Sequence, residues 1–497
     1  MLLNASKLPF RLVSIMPTGA STIHHFTISH MHHFPINLPP PRPVGRVLRA
    51  GITPTIIVLL AAPTGCQFYQ PSPLSASNHA GKWRERGPSD EKVRDFARRI
   101  ETTAPRSVTF NPKDGLTLAE CEVVALVYNP DLRVARLKAG VAQASAEHAG
   151  RWDDPKLSID VLKVTESVPH PWIVGSALSL TIPISGRLVV EKSRAGATLH
   201  SQLARVAEEE WKSLRDLREA WLAWSADRLR LEEAERIVGS LDSVVETTRK
   251  LAEAGELPRT ESALFKIEQE SRKSDIARLR GRVQEGEQEI RSLMGISPGA
   301  PVSLTPTLAA AGGDEGANLP ETNPTLIRLR SDYEVAELTL LREIRKQFPD
   351  LELGPNFEDD QAQSKIGVIG AIPIPIFNSN KGGIATARAE REVARAAYET
   401  ELERTEGRLA AMRARLDGAR SRRQAIDSNV VPLVDRQIED ARQLLEIGEG
   451  GSLVLLESLV RAHEAKLALI EARLEESATQ TEIRHLQGPD RIAAKTK

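Results

Sequence analysis

Landmarks in the first half of this 497-residue chain return in the second half at a nearly constant distance. Asn129-Pro130-Asp131-Leu132 reappears as Asn323-Pro324-Thr325-Leu326, and Pro155 ahead of KLSID reappears as Pro349 ahead of DLELG, both displaced by 194 positions. Ile182-Pro183-Ile184 returns as Ile374-Pro375-Ile376 at a displacement of 192, and Gly255 in LAEAGE returns as Gly448 in LLEIGE at 193. Single dipeptides recur by chance. Four landmarks in one order across more than a hundred residues imply a duplicated unit of helix, strand, strand and long helices.

The duplication divides the chain. A leader and signal region occupies 1–65 and an N-terminal tether 66–114. The first repeat runs over 115–300, a linker over 301–320, the second repeat over 321–488, and a tail over 489–497. Lys and Arg number 66 against 67 Asp and Glu. No global basic field draws the chain to nucleic acid, and no acidic tail stands out. Aromatic residues are 4% of the total, while Ala, Leu, Glu and Arg dominate 186–300 and 383–488. That composition favours long helices over a thick globular core.

Arg42, Arg46 and Arg49 precede an apolar run from Ile52 to Ala62. The run is too short to span a membrane as a helix and has the charge order of a secretory signal. His24, His25, His30, His32 and His33 lie upstream of it, so they read as leader residues rather than a metal site. Two cysteines, Cys66 and Cys121, give no disulfide framework. The tether is rich in Pro and Gly and reads as mostly extended with one short helix near 90–101.

From Leu116 the pattern turns helical, with Leu118, Cys121, Val124, Ala125 and Tyr128 on one face until Asn129-Pro130 breaks it. A second helix follows to about Gly150. Leu157, Ile159 and Val161 then alternate with polar residues, as do Leu178, Leu180 and Ile182 after a loop containing Pro169 and Pro171. These are strands with one apolar and one polar face. The second repeat supplies two more, at Leu351 and Leu353 and at Ile366, Val368 and Ile372. After each pair the period changes. Leu199, Leu203, Val206, Leu214, Leu217, Trp221, Trp224, Leu231, Val238, Leu241 and Val245 form the seam of a supercoiled helix with no proline between Gly186 and Leu251. Sixty-odd residues at 1.5 Å each make a rod of about 100 Å. Its partner begins after Pro258 and runs back to about Leu293.

Strands of about ten residues suit a tilted crossing of an outer membrane. Lipid tolerates no open sheet edge and single-chain barrels begin at about eight strands, so four strands span only by pooling chains. The expected fold is mainly α with a small β part, a duplicated module of long coiled helices with four strands per chain; three chains would give twelve strands, and the trimeric 12-strand transmembrane β-barrel above an α-barrel is what the family resemblance described next implies.

The segments LTLAECEVVALVYNPDLRVAR, IPIS, IPIPIFNSNKGGIATARAE, NVVPLVDRQ, LAEAGELPRTESAL and EIGEGGSLVLLESL, spread over 115–488, resemble TolC-type outer-membrane efflux proteins, with IPIPIFNSNKGGI closest to the heavy-metal and small-molecule branch. The resemblance implies a homotrimer embedded in outer-membrane lipid. It would work as a passive exit duct with an inner-membrane pump and a periplasmic adaptor. It also assigns the turns at Gly255, Glu256 and Leu257 and at Gly448, Glu449, Gly450 and Ser452 to adaptor docking. Glycine supplies left-handed helix ends there, and Ser452 is expected to cap the next helix. The plainer reading of both is a helix-hairpin turn. Just past the second turn, where acidic gate rings occur in the family, Val454 replaces one acid and Glu457 keeps the other. Glu457 is therefore the candidate periplasmic gate, or else a solvated helix-face residue.

Pro63-Thr64-Gly65-Cys66 resembles a lipoprotein cleavage site, with Pro63 where a Leu is usual. An N-terminal lipid on Cys66 is the expectation, against an ordinary signal with an incidental cysteine. No catalytic constellation, phosphate loop or spaced metal-ligand set occurs, so no enzyme, cofactor or metal site is expected. Two rival functions remain at this stage: the exit of a type I protein-secretion system, and an exported, lipid-tethered helical scaffold.

Overall fold

The computed structural model describes residues 11–14, 24–27, 68–103, 110–309, 318–360, 363–446 and 451–489. Strands β1 (Arg11–Ser14) and β2 (His24–Thr27) pair antiparallel near the start. Of the leader histidines, His24 and His25 lie on β2 and the others lie outside the described residues. The tether holds two helices rather than one, α1 (Ala76–Arg84) and α2 (Glu91–Thr103). The additional α1 starts at Ser75, whose hydroxyl accepts from the Asn78 amide at 3.3 Å, a local cap that outweighs the nearby proline punctuation.

The first repeat comprises α3 (Leu118–Tyr128), α4 (Pro130–His148), β3 (Lys156–Lys163), β4 (Trp172–Ile182), α5 (Arg187–Ala254) and α6 (Arg259–Leu293). The second comprises α7 (Leu319–Thr322), α8 (Pro324–Arg345), β5 (Leu351–Asp360), β6 (Gln363–Ala371), α9 (Lys381–Ala425), a π-helical turn at Ile426–Val430, α10 (Val431–Glu446) and α11 (Ser452–Gln487). Helix α5 runs unbroken for 68 residues, about 100 Å. Its counterpart is interrupted because Pro432 brings no backbone N–H, and the π turn just before it absorbs the lost bond. No helix among the described residues is long and apolar enough to cross a membrane.

The Asn-Pro landmark does the same work in both halves. Asn129 caps α4, accepting from the amides of Asp131 and Leu132 at 3.0 and 3.2 Å, while its own amide donates to the Leu293 carbonyl at 2.9 Å. Asn323 caps α8, accepting from Leu326 at 3.0 Å and donating to Leu486 at 2.8 Å. One side chain thus satisfies the orphan donors that open a short helix and an orphan carbonyl at the end of the returning long helix. The residues following those carbonyls match too. Gly295 (φ +73°) and Gly488 (φ +81°) take the left-handed conformation, and a Cβ at either would be driven into a backbone carbonyl, of Tyr128 and Thr322 respectively.

The main core gathers α3, α5 and α6. Cys121, Val123 and Val124 pack with Leu217, Trp221, Trp224, Ile290 and Met294. Burial, with the charges of Glu120 and Glu122 beside it, pushes the Cys121 thiol up, so it stays protonated. At the margin of this core Arg218 donates to Glu122 at 2.6 Å, both side chains almost fully buried, and the Arg218 guanidinium lies 5.3 Å from the Trp211 ring centroid. The Trp211 indole donates to the His485 carbonyl at 2.8 Å, which ties α5 of the first repeat to α11 of the second.

Gly295→Ala and Gly488→Ala should each lower stability by about 2 kcal/mol or more, from left-handed strain and the displaced carbonyl. Gly281→Ala, in open space on α6, should leave it unchanged or raise it by up to about 1 kcal/mol. Thermal unfolding followed by circular dichroism separates the three.

Candidate functional site

Strands β3, β4, β5 and β6 form one antiparallel sheet in that order. Because the register aligns Leu157 with Leu178, Val161 with Val174 and Phe357 with Ile366, the alternating apolar residues of all four strands fall on one face. Ile366 and Val368 are 85% and 78% exposed. A contiguous apolar face of this extent is not left against water in a soluble protein. The opposite face is mostly polar, with Leu162, Ile173 and Ile369 as its apolar exceptions. Asp160, Gly175, Glu358 and Lys365 stand in one cross-strand row. Lys365 donates to Glu358 at 3.1 Å and Asp360 at 2.8 Å, and Lys156 pairs with Glu352 at 2.8 Å. Apolar on one side and polar on the other is the pattern of a membrane barrel wall, lipid outside and lumen inside. Among the described residues the outer strands β3 and β6 have no partner on their far sides.

The strands are longer than the alternation suggests. Strand β5 continues through Gly354 and Pro355 to Asp360, although a proline argues against a paired strand. It fits because β4–β5 pairing lapses there, resuming at Asn356 opposite Ala177, and because Gly354 lets the backbone press against the Leu178 carbonyl. Ile372, expected within the last strand, lies just past the end of β6, ahead of Pro373. Trp172 closes the β3–β4 hairpin with Lys163 5.5 Å from its ring centroid, and Trp152 lies before β3, each 55% exposed. Both positions suit an amphipathic ring at a membrane boundary.

Sheet gives way to rod through a left-handed residue in each repeat, Gly186 (φ +69°) before α5 and Asn380 (φ +54°) before α9. Arg187 pairs with Asp350 at 2.8 Å and Asp153 at 3.3 Å, joining the two junctions. Asn380 donates to the Glu343 carbonyl and carboxylate at 2.8 and 2.9 Å, and Gly383 leaves room for this contact. Burial alone would raise the Glu343 pKa, but bonds from Lys346, Asn380 and Arg342 overcome it and hold the carboxyl down at about 2. Depression of the folded-state pKa means that this stabilisation is present in full above the unfolded value near 4.5 and is lost as pH falls toward 2. Glu343→Gln should therefore flatten the acid limb of stability between about pH 4.5 and 2, read by melting temperature against pH.

At the far end of the rods, Gly255 (φ +81°) closes α5, with the Glu256 and Leu257 amides returning to the Leu251 carbonyl at 2.9 and 3.3 Å. Gly448, Glu449 and Gly450 lie outside the described residues. Ser452 does not cap α11. The cap position is Gly451, and the Ser452 hydroxyl instead donates to Glu261 at 2.9 Å. That bond ties the second turn to the first turn of α6. Sequence reading missed Glu261, which looks like any helix-opening acid. Glu457 is exposed on α11 and pairs with Arg461 at 2.6 Å. Cys66 lies outside the described residues. Among the described residues no group of three or more His, Cys, Asp or Glu side chains is arranged to hold a metal ion.

Residues 123–296 match the family described as "Outer membrane efflux protein". A relative, the cobalt-zinc-cadmium resistance protein CzcC of Cupriavidus metallidurans, is 24% identical over 46% of this chain. The match spans about half, 54%, of that relative's length. Among solved structures, the outer-membrane channel OprN superposes with a TM-score of 0.66 at 17% identity, over 86% of this chain and 99% of OprN. The outer membrane protein VceC of Vibrio cholerae superposes at 0.64 and 17%, over 75% and 96%. CusC, described in terms of transmembrane channel formation, gives 0.64 and 16%, over 75% and 92%. Residues 123–296 thus resemble that family, and the duplicated module of long rods carrying a two-faced sheet is the fold shared with these solved structures.

Proposed function

We propose that this protein is the outer-membrane exit duct of a tripartite efflux system, taking small molecules or metal ions passed on by an inner-membrane pump through a periplasmic adaptor. The sheet carries the reading. Its apolar face requires lipid, its polar face suits a wet lumen, and its two free edges require neighbouring strands. Three copies would supply the twelve strands of a closed barrel, with the rods hanging below it as a tube. The chain then acts by providing a passage and performs no chemistry. The name of the relative CzcC favours divalent metal ions as cargo.

The hairpin ends serve as docking points in this reading, with Gly255, Glu256 and Leu257 beside Gly448, Glu449, Gly450 and Ser452. The Ser452–Glu261 bond supports it, because it presents the two ends as one surface. A lipid on Cys66 would tether the chain beside the barrel. A ring of Glu457 side chains would tune cation passage at the lower mouth, softened by Arg461.

Outer-membrane extracts in mild detergent should show, unheated, an oligomer of three copies that boiling reduces to monomer, and the purified oligomer should conduct ions in a planar bilayer. A soluble monomer with no conductance would overturn the reading and leave an exported helical scaffold.

A further inference from the structure

The two repeats leave the sheet differently. After β4 the chain reads Ile182-Pro183-Ile184-Ser185-Gly186, and after β6 it reads Ile374-Pro375-Ile376-Phe377-Asn378-Ser379-Asn380. Ile184 and Ile376 stand 192 positions apart, while the left-handed residues Gly186 and Asn380 stand 194 apart. The second repeat therefore carries two additional residues at this place. They lengthen the stretch that holds Phe377, which is 95% exposed, with Ile374 and Ile376 beside it at 74% and 73%.

The backbone is braced to hold this stretch out. The Ile376 N–H donates to the Ile374 carbonyl at 2.9 Å across Pro375, a three-residue turn, and the Ser379 hydroxyl donates to the Pro375 carbonyl at 2.8 Å. Ser379 (φ +44°) and Asn380 (φ +54°) follow, two successive left-handed residues that are not glycine, where the first repeat uses Gly186 alone. Such strain persists where surrounding bonds overdetermine it, and here the bonds from Asn380 to Glu343 do so.

The chemistry of the segment selects its surroundings. None of residues 366–380 is charged. Ile372 and Ile374 keep the two-residue step of Ile366 and Val368, so the apolar face of the sheet continues past Ala371, the last residue of β6. Of the six backbone positions in 372–377, two are proline and carry no N–H, and a third, Ile376, bonds within the segment. That lowers the cost of leaving the sheet's hydrogen-bond ladder where water is scarce. Lys381 follows on α9, exposed and long enough to reach a phosphate headgroup. Trp152, Ile184 and Phe348, at the same end of the sheet, are exposed as well.

We propose that residues 372–377 are an interfacial anchor. They lie outside the barrel wall in the inner leaflet of the outer membrane, at the boundary of headgroups and acyl chains, with Phe377 inserted and Lys381 at a lipid phosphate. The partner is phospholipid. Because the segment runs into α9 through the braced Asn380, it fixes the depth at which the second repeat's rod leaves the membrane. The proposal rests on the outer-membrane duct reading.

The test uses the purified oligomer in vesicles of phosphatidylethanolamine and phosphatidylglycerol with brominated acyl chains. Phe377→Trp, a conservative aromatic exchange, adds one emitter to the six native tryptophans, and its share is the difference from the unsubstituted oligomer. Bromines near the headgroup should extinguish the added emission, bromines at the chain ends should do so less, and aqueous iodide should leave it unchanged. Added emission lost to iodide alone would place the side chain in water, and emission lost to neither quencher would place it against protein. Either result overturns the anchor and leaves the duct reading in place. Failure of the unsubstituted oligomer to enter the vesicles would overturn both.

Discussion

Everything in this molecule depends on how a rod of about 100 Å is made to return to the place where it began. A helix end leaves backbone groups without partners, and a buried end without replacements is costly. Asn129 and Asn323 answer this by bonding in two directions, down to the first amides of a short helix and across to the last carbonyls of a long one. Gly295 and Gly488 permit the approach by presenting no side chain to the carbonyls of Tyr128 and Thr322. These twin locks fix where each hairpin of rods closes. The sheet above and the turns below are then held at opposite ends of one rigid frame.

The rods alone would make a fibrous protein. The sheet gives the frame a solvent preference that changes along its length. Four strands with apolar and polar faces cannot be satisfied by one chain in water, because the apolar face needs lipid and the two edges need hydrogen-bond partners. The junction residues Arg187, Asp350, Asn380 and Glu343 carry the change from two-faced sheet to solvated rod, using charge pairs where the backbone must turn through left-handed conformations.

Much of this was legible in the residue order. The constant displacement of the Asn-Pro, Ile-Pro-Ile and Gly landmarks shows two copies of one module, the change of hydrophobic period marks where strand becomes rod, and the proline-free stretch from Gly186 gives the rod its length. The misses share a cause. Helix α1 rests on a single cap by Ser75, Pro355 sits in β5 only because its neighbour strand leaves a gap, and Ser452 reaches sideways to Glu261 instead of capping its own helix. In each, a contact specific to the folded chain overrides what the local residues favour.

By itself the sequence determined the module, its repetition, the two-faced strands and the length of the rods, because each is written in periodicities that need no distant partner. Only the tertiary structure decided which carbonyl each asparagine holds and that the two hairpin ends meet through Ser452 and Glu261. These are questions of register and approach between segments far apart in the chain, set by close packing and by the need to satisfy buried polar groups, and a one-dimensional pattern carries no distance between them.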